Sequence, residues 1–149
     1  VIHVVTFAIP GPPVAKGRPR FARVGGFVRT YTPKGTVVYE KLVAMYARQA
    51  MQAAAKKPVA GPVVVGIDIH LEPPASWSKK KRADALLGLT HPTSKPDLDN
   101  FTKVVLDACN EILWIDDSQV VSLRITKKFA PSARMEVAVF SPTTEGIAA

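Results

Sequence analysis

Apolar and polar residues alternate in four stretches of the chain, and in three others they recur with helical spacing. Residues 2–9 place Val5, Phe7 and Ile9 on one face of a strand. Residues 63–72 alternate more strictly. Val63, Val65, Ile67, Ile69 and Leu71 face one way, while Val64, Gly66, Asp68, His70 and Glu72 face the other, which describes a strand with one apolar and one mixed side. Two further strands close the chain, the first carrying Val121, Leu123 and Ile125 and the second Met135, Val137 and Val139, with 130–134 as the turn between them. Helical spacing predicts a helix over 36–57 with Val38, Leu42, Met45 and Gln49 on one side, stopped by Pro58. A short helix is expected over 78–87 with Ser78 as its cap, and another over 98–111, where Phe101, Val105, Ala108 and Ile112 form the buried stripe. The order β, α, β, α, α, β, β predicts an α/β fold, a single small domain with a mixed β-sheet flanked by helices.

The segment from Pro10 to Gly35 follows neither period. It is rich in Pro and Gly and carries much of the basic charge, which is unusual for a connector and points to a functional arm. Within it, residues 21–31 have the pattern of a small hairpin turning at Gly25-Gly26. Residues 141–149 are expected to form a flexible tail. No internal repeat divides the 149 residues, so residues 1–149 are read as one domain.

Several classes of protein are disfavoured. No apolar run approaches the roughly 20 residues of a membrane helix. The greasy residues 1–9 lack a preceding basic region, so no signal peptide is expected. Cys109 is the sole cysteine, which excludes an intrachain disulfide framework and fits a cytoplasmic location. His3, His70 and His91 lack zinc spacing, and no GxxxxGK[ST] loop is present to cradle a nucleotide cofactor.

Charge is distributed unevenly. The net charge is +8, and residues 1–57 hold ten Lys or Arg against Glu40 alone, while the remainder is nearly neutral. Such asymmetry fits nucleic acid or an anionic membrane surface as partner, or a solvated basic face. Lys16, Arg18, Arg20 and Phe21 lie in one short loop that combines guanidinium forks with an aromatic able to stack on or wedge against a base. Lys79, Lys80, Lys81 and Arg82 fill the first turns of the 78–87 helix, where cations oppose the helix dipole; a phosphate contact or a solvated face would account for them.

Acidic charge is concentrated elsewhere. Asp97, Asp99, Asp107, Glu111, Asp116 and Asp117 are six of the twelve acidic residues, gathered between Lys95 and Gln119. Like charges 4 Å apart repel by about 1 kcal/mol in water and about 4 kcal/mol at an effective dielectric of 20, so crowded carboxylates call for a cation or a shifted pKa. Asp97 and Asp99 sit at a helix entrance after Pro96, and in extended backbone two such side chains reach the same way toward one divalent ion. Capping of the helix explains one aspartate but not both. Asp116 and Asp117 precede a strand, where adjacent side chains diverge, or form a turn. Lys103, one turn after Asp99, is placed to contact a phosphate or to pair with Asp107 or Asp99.

The stretch Lys-Pro-Asp-Leu-Asp-Asn-Phe-Thr-Lys-Val-Val-Leu-Asp-Ala at 95–108, followed by Trp-Ile-Asp-Asp-Ser-Gln-Val-Val at 114–121, resembles the RusA family of Holliday junction resolvases. The basic loop Lys-Gly-Arg-Pro-Arg-Phe at 16–21 is similar to one common in that family. The resemblance implies a small α/β homodimer, bacterial or phage-encoded, that cuts four-way DNA junctions in recombination and repair with Mg²⁺, or Mn²⁺ as a substitute. Carried over by motif position, Asp97, Asp99 and Asp117 would be the catalytic metal ligands and Lys103 the essential lysine, with Asn100 and Asp116 in supporting places. The family often has a glycine where this chain has Asn110-Glu111. Two other functions fit the same residues. One is a nucleic-acid-binding module with a structural cation; the other is a metal nuclease of different DNA specificity.

Overall fold

The computed structural model describes residues 1–17, 20–31 and 33–143, without the side chains of Arg20 and Tyr31. Strands β1 (Ile2–Pro10), β4 (Val63–Leu71), β5 (Val120–Phe129) and β6 (Arg134–Ser141) form one sheet in the order β1-β6-β4-β5. The pairs β1–β6 and β6–β4 are antiparallel, and β4–β5 is parallel, so the sheet is mixed as expected. A separate hairpin, β2 (Arg20–Val24) and β3 (Phe27–Tyr31), rises from the basic arm and turns at Gly25-Gly26, both at positive φ, as the sequence predicts.

Helices α1 (Lys34–Ala53) and α3 (Leu98–Cys109) share one core with the sheet. In α3, Phe101, Val104, Val105, Ala108 and Cys109 are buried, a stripe slightly wider than its sequence periodicity implied. For α1 the expected face is not the buried one. Thr36, Tyr39, Val43, Ala47 and Met51 pack inward, while Val38 and Met45 are 59% and 39% exposed. Apolar residues occupy two sides of this helix, and packing selects the side that carries Tyr39, Val43 and Met51. Burial pushes the Tyr39 hydroxyl up to a pKa of about 12.

The parallel crossover from β4 to β5 contains the short helix α2 (Lys79–Leu86) and then α3. Ser78 caps α2 as expected, its Oγ accepting from the Lys81 amide at 3.2 Å. Strand β6 runs through Ser141, which is fully buried, so the strand extends into the expected tail; residues 144–149 lie outside those described. No described helix is long and apolar enough to cross a membrane. The edge strand β5 leaves Val121 and Leu123 63% and 40% exposed, although both belong to its apolar pattern.

Helix α3 ends two residues before the expected boundary. Glu111 then adopts φ +68°, the left-handed conformation that glycine takes at low cost after a helix. That conformation costs a side-chain-bearing residue roughly 1–2 kcal/mol. Glu111→Gly should therefore raise the unfolding free energy by about 1 kcal/mol after allowing for the added chain entropy of glycine. Urea denaturation checks this, and a loss of stability would contradict the strain argument.

Candidate active site

Asp97 is the N-cap residue of α3, yet its side chain makes no capping hydrogen bond. Its carboxylate is mostly exposed, with the Lys95 ammonium 3.8 Å away. Asp99 lies in the first helical turn and is exposed as well. The head of α3 thus presents two carboxylates, neither of them used to satisfy helix amides. Lys103, one turn further along, is exposed and forms no ion pair among the described residues. Asp107, its possible partner, is bonded elsewhere.

That other partner is Lys16, whose ammonium contacts Glu40 at 2.6 Å and Asp107 at 3.1 Å. Burial pulls the Lys16 pKa down, but these two carboxylates outweigh it and the net shift is upward. The Lys16 amide also donates to the Asn100 carbonyl at 2.9 Å, and the Gly17 amide to Thr36 Oγ1 at 3.0 Å. A Cβ on Gly17 would meet Pro33 at 2.7 Å, so this approach requires glycine. The root of the basic arm is therefore fastened beside the head of α3, at the residue following Asp99. Beyond it, the hairpin leaves Phe21 and Phe27 73% and 75% exposed. Arg18 and the side chain of Arg20 lie outside the described residues. Lys79, Lys80, Lys81 and Arg82 are all exposed along α2.

Asp116 and Asp117 do different work. Asp116 caps the 3₁₀ turn Asp117–Gln119 in a reciprocal capping box with Gln119. Hydrogen bonds from the Ser118 side chain and amide hold the Asp116 carboxyl below its usual pKa. Gln119 also donates to the carbonyls of Val59 and Gly61, both at 2.7 Å, which ties this turn to the start of β4. Asp117 accepts from the indole Nε1 of Trp114 at 2.8 Å. Trp114 is completely buried, so its only polar atom fixes the carboxylate in place. Burial and then the neighbouring Asp117 charge push the Cys109 thiol pKa upward. The Leu113 amide donates to the Cys109 carbonyl at 3.0 Å, so the turn that carries Trp114 and Asp117 follows directly on the last turn of α3.

Asp99 and Cys109 are ten residues apart on this helix, about 15 Å at 1.5 Å per residue. Consistent with that separation, no three His, Cys, Asp or Glu side chains among the described residues are grouped to hold one metal ion. A hydrated Mg²⁺ keeps several waters and takes one or two protein carboxylates together with substrate phosphate. The Asp97/Asp99 head of α3 fits that pattern. Asp117 is held on Trp114, in the turn that follows the other end of this helix.

Lys127 escaped the sequence reading. Its ammonium donates to the carbonyls of Ser94 and Pro96 at 2.8 and 3.0 Å, holding the segment that leads into Asp97. A signal was present, since Lys127 continues the side of β5 that carries Leu123 and Ile125 and pairs with core residue Ile69.

A family model described as Endodeoxyribonuclease RusA matches residues 10–140. The chain belongs to the RusA endodeoxyribonuclease family. It is also 37% identical over 137 residues to "Uncharacterized protein YqaN" of Bacillus subtilis (strain 168), an alignment covering 91% of this chain and 94% of that protein. The RusA match includes the basic arm, the head of α3 and the Trp114–Gln119 turn, and it makes the protein a nuclease. Within this family fold, Lys127→Met should slow DNA cleavage about 10–100-fold, the range for supporting residues around a metal site. Unfolding free energy should shift by only about 0.5 kcal/mol. Unchanged cleavage kinetics would remove Lys127 from the site.

Proposed function

We propose that the protein is a Mg²⁺-dependent endonuclease that resolves four-way DNA junctions as a homodimer, with Mn²⁺ as a substitute ion and the cytoplasm as its compartment. The observation that carries this reading is the uncapped Asp97 beside Asp99 at the head of α3, within a RusA family match spanning residues 10–140. Asp97 and Asp99 hold the ion. When bound, it supplies an activated water and stabilises charge on phosphorus. Lys103, unpaired within the described chain, faces the same phosphate and offsets its developing charge. Lys16, already paired with two carboxylates, sets the root of the arm. Arg18, Arg20 and Phe21 beyond it, and Lys79, Lys80, Lys81 and Arg82 on α2, grip the DNA, with a strong dependence on salt.

Asp117 enters through the dimer. Strand β5 is an open sheet edge with exposed Val121 and Leu123. Asp117 precedes the start of β5, and Lys127 near its end holds the segment that leads to Asp97. Two-fold antiparallel pairing of two β5 edges brings the start of one strand to the end of the other. Asp117 of one copy then completes the Asp97/Asp99 pair of its partner, and two such sites serve the two strands cut in a symmetric junction.

Asp97→Asn and Asp117→Asn should each abolish cutting of a synthetic junction while leaving its binding intact. Mixing the two variants should restore cutting, because one of the two shared sites in a mixed dimer is then whole. Cutting by either single variant refutes its proposed role. Failure of mixed dimers to cut refutes the shared site. Equal cutting of a linear duplex of the same sequence would replace junction specificity with a broader nuclease activity.

A further inference from the structure

At the C-terminal ends of β4 and β5 lies a cleft of about 440 Å³ whose rim runs through Ser94, Lys95 and Pro96 directly into Asp97. Trp77 and Phe129 form one corner of it, edge to face, with ring centroids 5.3 Å apart and planes at 71°. The Lys81 ammonium rests 4.0 Å from the centroid of the Trp77 ring and lines the same cleft. An indole covered by an exposed, movable cation differs from one packed in a core. Such a cation gives way readily, because an aromatic ligand stacked on the ring gains more than an exposed cation–π contact does. Glu72 also lines the cleft, and its carboxylate has no hydrogen-bond or ion-pair partner among the described residues.

We propose that this cleft receives one unstacked nucleobase of the bound DNA, a base carrying an exocyclic amino group, and so selects the nucleotide next to the cut. The base stacks on Trp77, and its amino group donates to Glu72. Thymine lacks that donor and is disfavoured. Lys81, displaced from the indole, is free to meet a phosphate of the same strand, in line with the cationic surface formed by Lys79, Lys80 and Arg82. The occupant belongs to the DNA held at Asp97, so the inference rests on the proposed function. Unpaired bases are most available where strands exchange, and extracting one costs least there.

The test measures junction affinity by fluorescence anisotropy in EDTA, where no strand is cut. Abasic sites are introduced one at a time around the crossover. One abasic position should weaken wild-type binding roughly ten-fold, within the range of a lost stacking contact. Trp77→Ala should weaken binding to the intact junction equally and add nothing on that abasic junction. Thymine at the sensitive position should weaken wild-type binding, and Glu72→Gln, an exposed change that leaves the fold intact, should reduce that penalty. Free deoxycytidine monophosphate in millimolar excess should not displace the junction; displacement would mean a pocket for free nucleotides and overturn the inference. Affinities unaffected by every abasic site, or an equal Trp77→Ala loss on all junctions, would overturn it too while leaving the proposed function standing. No wild-type binding to any junction would sink both.

Discussion

Burial of one side of α3 sets where the carboxylates around its two ends stand. Phe101, Val104, Val105 and Cys109 are entirely inaccessible to solvent, and removing a side chain such as Phe101 would cost about 3–5 kcal/mol. A helix held that firmly cannot slide or rotate, so its two ends become reference points about 15 Å apart. The head carries Asp97 and Asp99. The tail lies beside Asp117, which the buried indole of Trp114 grips through its single N–H. On the proposed reading, a second chain supplies the third carboxylate to the ion held at the head.

The head of α3 is also arranged by what it does not do. An aspartate at an N-cap ordinarily folds back onto helix amides. Asp97 does not, and the amides of that first turn leave a favourable field for the anions gathered there. Its approach is fastened from outside by Lys127 across the sheet edge and by the Lys16 amide on Asn100. Two long-range contacts thus position a pair of carboxylates that make no hydrogen bond to the helix amides. That pre-organisation is what a site for phosphodiester chemistry needs, since the chain must not reorganise while charge develops.

Much of this was readable in the sequence, and the failures have physical causes. Strand β4 was legible almost to the residue, because a period of two with one buried face leaves no second interpretation. The density of carboxylates around Asp97 and Asp99 stood out for the same kind of reason, being costly unless used. The inward face of α1 was misjudged because Val38 and Met45 are as apolar as Val43 and Met51, and only packing decides between them. The hydrogen bond that seats Asp117 on Trp114 was invisible, since a motif gives order along the chain and not the partner of each side chain. Lys127 acts on residues 31 and 33 positions away, which no local pattern reports.

The most direct measurement is mapped cleavage of a synthetic four-way junction by the unaltered protein, with Mg²⁺ and with EDTA. Nicks are expected at symmetry-related positions in two opposing strands with Mg²⁺, and intact strands with EDTA. Retarded but never nicked DNA in both conditions would contradict this expectation.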